Sequence, residues 1–253
     1  MKPESLPEHP TTVATSAPIV VVVMPAYNAA LSLATTTALI PPYIDKILLV
    51  DDASSDDTVA IAEQLGLDVV RHPKNLGYGG NQKTCYRTAL AMGADIVVML
   101  HPDGQYDPVL IPDMVAPIAD GRADMVLGSR MMQPGGARAG GMPWWKRLGN
   151  HALTTLENAA LGASLSEAHT GYRAYSRVLL ETIPWQGNSD DFVFDTQVIF
   201  QAFAHRMRVV EVPVRTSYED TASSVNVWQS IVYGTKTLAV AAHYTCLRTR
   251  GRS

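Results

Sequence analysis

Short apolar runs alternate with mixed segments through the first half of the chain. Ile19–Met24 is an unbroken apolar, mostly β-branched run closed by Pro25, the pattern of a strand buried on both faces. Ile47–Val50 repeats the pattern and ends at Asp51-Asp52. A helix should follow, with Ser54, Ser55 or Asp56 available as its cap and the acids near its positive end. Asp68–Arg71 reads as a short third strand, after which a Gly-rich turn, Asn75–Gly80, feeds a helix running to about Met92. Asp95–Leu100 is a fourth strand and ends at His101-Pro102-Asp103. This alternation over residues 19–130 predicts an α/β fold, a mostly parallel sheet flanked by helices.

The second half is less regular. Asp124–Gly128 reads as a strand, Gln133–Gly141 as a Gly-rich loop, and Trp144–Gly162 and Phe192–His205 as helices. Arg208–Arg215 alternates like a strand, and Val225–Leu247 reads as a long helix with a break expected at Gly234. The domain division expected is a mobile tail, 1–18, and a single domain, 19–253, with a ligand-binding half (19–130) and a second half (131–253) ending in the long helix. The tail lacks the basic start and apolar middle of a signal peptide. No apolar run reaches the roughly 18 residues of a membrane span.

Composition narrows the function. Of 253 residues, 47% are hydrophobic and 17% charged, enough for a buried core and too apolar for a disordered chain. A net charge of −4 leaves no basic excess to follow a nucleic-acid backbone. Cys85 and Cys246 lie far apart, with neither metal-finger spacing nor a disulfide framework, which fits a cytoplasmic protein.

Three predicted strands end in polar segments: Pro25-Ala26-Tyr27-Asn28, Asp51-Asp52 and His101–Gln105. Ligands of open α/β sheets bind outside the carboxyl ends of strands, so these segments should share one site. If His101–Gln105 is extended, His101, Asp103 and Gln105 face one way and offer ligands for Mg²⁺ or Mn²⁺. The alternative is a turn at Asp103-Gly104, with His101 closing the strand. Asp51 and Asp52 suit a ribose hydroxyl or base N–H, or else helix capping. Gly79 and its neighbours could bring N–H groups to a phosphate, with Lys83 to neutralise it, although Lys83 could equally be solvated. Arg130, Arg138 and Arg173 are candidates for a second anion, or are surface charges. Among Asp190, Asp191 and Asp195, one could be a general base, the alternative being charge at a helix N-terminus. Trp144-Trp145-Lys146-Arg147 suits a membrane interface or the basic start of a core helix. The basic end, Arg248, Arg250 and Arg252, could touch anionic lipid or fray in solvent.

Eight segments, in order and spanning roughly residues 19–230, resemble family-2 inverting glycosyltransferases: VVVMPAYNAA, LLVDDASSDDT, NLGYGGNQKT, HPDGQYDP, DMVLGSRMM, HTGYRAYSR, FVFDTQVIFQA and VPVRTSYEDTASSVNV. The similarity is greatest to the branch of dolichyl- and polyprenyl-phosphate sugar synthases. The resemblance implies a nucleotide-diphospho-sugar transferase (GT-A type) fold. It implies a UDP- or GDP-sugar donor, a Mg²⁺ or Mn²⁺ cofactor, and a polyprenyl-phosphate or other small acceptor. Peripheral contact with the cytoplasmic face of the membrane would follow from a lipid acceptor. By resemblance, Pro25, Tyr27 and Asn28 pack on the base, Asp51 and Asp52 contact base and ribose, and Gly79 and Lys83 lie on the donor side. Asp103 matches the last acid of the D-x-D metal motif and Gln105 a downstream glutamine. Arg130 matches a phosphate-contacting arginine, Asp195 the catalytic base with Asp191 second, and Ser223 and Ser224 a loop near the acceptor. Ala29 and His101 depart from the pattern, which usually has Glu and Asp there. A soluble transferase acting on a hydroxyl, or a nucleotide-binding protein without turnover, are the rival readings. No G-x-G-x-x-G follows the first strand, which argues against a dehydrogenase.

Overall fold

Val20–Ala26 (β1) is buried at every position, with alternate side chains entering different cores. Val21 and Val23 join Leu48, Val50, Val97, Tyr86 and Phe194 on one face, and Val20, Val22 and Met24 join Leu49, Val98, Ile111 and Met114 on the other. A strand enclosed on both faces explains the continuous apolar run. The structure, a computed structural model, describes residues 17–133, 136–216, 233–242 and 244. Ser223, Ser224, Arg248, Arg250, Arg252, most of the N-terminal tail and the start of the expected C-terminal helix lie outside the described residues.

The remaining strands are Lys46–Asp51 (β2), Asp68–Arg71 (β3), Ile96–Met99 (β4), Met125–Ser129 (β5), Arg173–Ser176 (β6) and Val209–Pro213 (β7). Among the described residues they form one sheet of order β3-β2-β1-β4-β6-β5-β7. All pairings are parallel except those of β6, which runs antiparallel between β4 and β5. The sheet therefore draws strands from both sides of residue 130.

Helices cover the two faces: Leu33–Ala38 (α1), Thr58–Gln64 (α2) and Ile111–Ala119 (α4) on one, Tyr78–Ala91 (α3), Arg177–Thr182 (α7) and Phe194–Ala204 (α8) on the other. Gly136–Ala139 (α5) is a single helical turn inside the expected loop, and Trp144–Leu161 (α6) ends on Gly162 in the left-handed conformation. Residues 233–242, Gly234 among them, are helical, and the expected helix before 233 lies outside the described residues. Neither Ser54 nor Ser55 caps α2. Asp57 occupies the cap position, and Asp56 accepts from the Thr58 N–H at 3.0 Å.

The strand order reverses between β1 and β4. Their pairing ends at Val23–Met99, and beyond it the two chains part. Pro25 sits past this point, paired with β2 alone, which accommodates a proline at the end of a central strand. The crevice opened there is the usual ligand position in a sheet of this kind.

Candidate active site

The ends of β1 and β2 are laced into one platform. The Asn28 N–H donates to Ser54 Oγ (2.8 Å), the Ala29 N–H to Thr58 Oγ1 (2.8 Å), and the Ser55 N–H to Asn28 Oδ1 (2.8 Å). Asn28 takes a left-handed backbone, φ 53°, that asparagine tolerates better than most residues. Its side chain is thus a brace between loops. Tyr27, 57% exposed, turns outward just past the end of β1, beside exposed Asn28.

Asp51 and Asp52 lie under the platform rather than on it. Asp51 accepts from the Ser54 N–H at 3.2 Å. Asp52 accepts from the N–H groups of Leu76 (2.8 Å) and Gly77 (3.1 Å) and meets His72 Nδ1 at 2.7 Å. Both are buried, and the bonds of Asp52 set the Gly-rich turn.

The turn itself is also spent internally. The Gly79 N–H donates to the Asp190 carbonyl at 2.7 Å, and a Cβ at Gly79 would lie 2.4 Å from the Ser189 carbonyl oxygen. Glycine is needed there for close approach to the 188–190 loop, and the anion cradle expected from the sequence is not formed. Lys83 Nζ donates to the Asn188 carbonyl and to Asp190 Oδ1 (2.8 Å), so it ties α3 to that loop instead of waiting for a phosphate.

His101–Gln105 is not extended. Gly104 has φ +74°, and the Gln105 N–H donates to Asp103 Oδ1 at 3.0 Å, closing a tight turn. Asp103 is half-buried in this turn, just past the end of β4. His101 is turned away: its ring stacks on Tyr78 (5.6 Å between centroids, 16° between planes), and Nε2 lies 3.3 Å from Tyr78 Oη. Gly171 closes the other side, where a Cβ would be 2.9 Å from His101 Cδ2. The common face expected for His101, Asp103 and Gln105 is therefore absent, because Asp103-Gly104 breaks the period of two. Among the described residues, no three His, Cys, Asp or Glu side chains gather as a metal cage.

Asp195 is the centre of the polar network beyond Tyr78. Its Oδ2 accepts from Tyr78 Oη (2.8 Å) and its Oδ1 from Gln82 Nε2 (3.1 Å), with Arg173 Nη1 at 3.5 Å. Burial, and then the charge of Asp195, push the Tyr78 hydroxyl well above its ordinary pKa, so it remains a donor. A carboxylate has about four lone-pair sites, and one on Oδ2 remains unused by these contacts. Tyr78 and Gln82 escaped the sequence reading. Their four-residue spacing puts them on one face of α3, and the signal was a glutamine among buried positions of that helix.

The expected anion-binding arginines behave differently. Arg173, 1% exposed, gives Nε to the Thr170 carbonyl (2.7 Å), Nη1 to the Asp195 carbonyl (3.0 Å) and Nη2 to the Ala168 carbonyl (3.2 Å). It builds the site wall and does not reach out to an anion. Arg130 is buried against Glu167, which accepts from its Nε (2.8 Å) and backbone N–H (2.7 Å). It too is committed to the fold. Arg138, in α5, is exposed. Asp191 is exposed and paired with Lys236, away from the Asp195 network.

A sequence model of glycosyl transferase family 2 matches residues 21–183. The chain is 33% identical to MJ1222, an uncharacterized protein of Methanocaldococcus jannaschii, over 70% of this chain and 72% of that one. It is 29% identical to the undecaprenyl-phosphate mannosyltransferase of Micrococcus luteus, over 91% of this chain and 98% of that protein. Its fold resembles the solved structure of glucosyl-3-phosphoglycerate synthase from Mycobacterium tuberculosis in complex with Mn²⁺, UDP and phosphoglyceric acid. The TM-score is 0.70 at 19% identity, covering 90% of this chain and 78% of that one.

Proposed function

The chain belongs to glycosyl transferase family 2, and from that premise we propose that it moves a hexose from a UDP- or GDP-sugar to a polyprenyl phosphate, with inversion at the anomeric carbon. The observation that carries this reading is the crevice at the strand-order reversal. Exposed Tyr27 follows the end of β1, half-buried Asp103 follows the end of β4, and the Asp195 carboxylate is braced by Tyr78 at the start of α3. The polyprenyl-phosphate acceptor is supported by the name of the Micrococcus luteus relative, which aligns over nearly its whole length.

In this reading Tyr27 stacks on the base, the platform of Asn28, Ser54 and Thr58 keeping its backbone fixed. Asp103 suits Mg²⁺ or Mn²⁺, hard ions commonly held by one or two carboxylates together with substrate phosphates. Once bound, such an ion neutralises the charge growing on the departing diphosphate. His101 is not among its ligands, since its ring is held between Tyr78 and Gly171. Arg138, exposed on α5, leads the described residues that could meet the acceptor phosphate.

A phosphate acceptor is already ionised and needs no strong base. Asp195 then orients Tyr78 and Arg173 rather than taking a proton. Asp195→Asn is therefore expected to lower turnover on polyprenyl phosphate by no more than about tenfold, whereas loss of a general base costs about 10²–10⁴-fold. Single-turnover rates of the folded variant decide between the two. A loss in the larger range would contradict the phosphate acceptor and favour a hydroxyl acceptor with Asp195 as its base.

A further inference from the structure

Helix α3 carries a polar line along one side. Tyr78, Gln82 and Tyr86 recur every four residues and sink inward: Tyr78 is half-buried, while Gln82 and Tyr86 are fully buried. Gln82 Nε2 donates to Asp195 Oδ1 at 3.1 Å, and Gln82 Oε1 accepts from Tyr86 Oη at 2.6 Å. Two residues of β6 complete the surroundings. Tyr175 Oη lies 3.1 Å from Tyr86 Oη, and Arg173 Nη1 lies 3.5 Å from the same Oδ1 of Asp195. A buried amide costs stability unless its hydrogen bonds are made, and methionine or leucine would fill this place without that cost. Packing gives no reason for a glutamine here, whereas Asp195 does.

Proton counting leaves these bonds one direction. A glutamine amide has an accepting end and a donating end. Turned over, its oxygen would face the Asp195 carboxylate, acceptor against acceptor. Tyr86 brings a single proton, and Gln82 Oε1 can only accept it. Tyr86 Oη is then left to accept from Tyr175. The amide is thus locked with its donor on Oδ1, which Gln82 and Arg173 approach from the buried side. Oδ2 lies toward the start of α3, where half-buried Tyr78 takes one of its lone pairs. We infer that Gln82 is a positioning residue for Asp195: it holds Oδ1 toward the core and leaves the second lone pair of Oδ2 to meet substrate. This rests on Asp195 standing in the site, as read above, and not on the identity of the acceptor.

Two variants of the full chain test it, assayed with polyprenyl phosphate or with a hydroxyl acceptor if the wild type uses that instead. Gln82→Met fills the space without a donor. It should lower kcat about threefold while KM for donor and acceptor stays within about twofold. Combined with Asp195→Asn it should add almost nothing, because the group it acts through is already altered. Gln82→Glu makes the donor depend on pH. Two carboxyl groups this close share one proton. With that proton the new side chain donates to Asp195 and accepts from Tyr86 as the amide does; without it, the two repel. Turnover of Gln82→Glu relative to wild type should therefore be near parity at the acid end of the active range and fall as pH rises. The other titratable groups facing the pair are Tyr78, Tyr86, Tyr175, Tyr233 and Arg173. Burial pushes the four hydroxyls up, and Arg173 is raised despite its burial by the charge of Asp195. His101, beyond Tyr78, is common to both proteins and cancels in the ratio. Circular dichroism establishes that each variant is folded at the assay temperature; if Gln82→Met is not, the ratio for Gln82→Glu decides alone. A ratio flat with pH, or a Gln82→Met loss that multiplies with that of Asp195→Asn, would overturn the inference and leave Gln82 a core residue. Unchanged turnover in Asp195→Asn would also overturn it, since nothing would remain for Gln82 to position, while the polyprenyl-phosphate reading would stand.

Discussion

Arg173→Met is expected to cost about 3–5 kcal/mol of folding stability, the range for removing one member of a buried ion pair. The guanidinium is 1% exposed and gives hydrogen bonds to three backbone carbonyls, those of Ala168, Thr170 and Asp195, while facing the Asp195 carboxylate at 3.5 Å. Methionine fills much of the same space, so little of the loss comes from packing. The cost comes from the three donated hydrogen bonds lost and a nearly buried carboxylate left without its cation. Burial alone would lower the arginine's pKa. The charge of Asp195 and the neighbouring tyrosine hydroxyls outweigh it and raise the pKa, so Arg173 stays a cation. Arg173→Lys should lose less, because it keeps the charge but not the planar fork. Denaturant unfolding of both variants measures this, and a loss below about 1 kcal/mol for Arg173→Met would show that the pair is not a keystone of the fold.

Asp103→Asn should leave stability within about 0.5 kcal/mol of wild type. The amide oxygen can still accept from the Gln105 N–H, so the turn survives. Transfer should nonetheless fall about 10²–10³-fold, since a cation's stabilisation of transition-state charge is worth several kcal/mol. Nucleotide binding should also lose its response to Mn²⁺. The companion variant, His101→Gln, should keep that response, because the imidazole is engaged with Tyr78. Titration of UDP and GDP into each variant, with and without Mn²⁺, separates the two positions. Loss of the Mn²⁺ response in His101→Gln would restore the histidine as a ligand.

How legible these features were depended on where each side chain's partner lies. Strands β1, β2 and β4 are continuous or nearly continuous apolar runs because both faces are covered, and such runs announce themselves. Strand β6, Arg-Ala-Tyr-Ser, does not: its arginine is tolerated inside because Asp195, far along the chain, is there to meet it. The same reason defeated the reading of several polar residues as ligands. Lys83 is taken by the 188–190 loop, Arg130 by Glu167, and Asp52 by His72 and the Gly-rich turn. Spacing along the chain carries no trace of such distant pairings. The polar segments after β1, β2 and β4 do meet at one end of the sheet, because strand order follows from topology rather than from side-chain partners. At His101–Gln105 the competing local rule, a turn at Asp-Gly, prevailed over the extended segment.

The most direct test of the account is a transfer assay. Purified protein is incubated with Mn²⁺, a polyprenyl phosphate in detergent, and UDP- or GDP-linked hexose, and the lipid fraction is examined by mass spectrometry. The account predicts a polyprenyl-phosphate hexose, one hexose heavier than the acceptor with a single phosphate, formed from one of the two donor classes only. Hexose appearing solely on a hydroxyl-bearing soluble acceptor, with the polyprenyl phosphate unchanged under both donors, would contradict it.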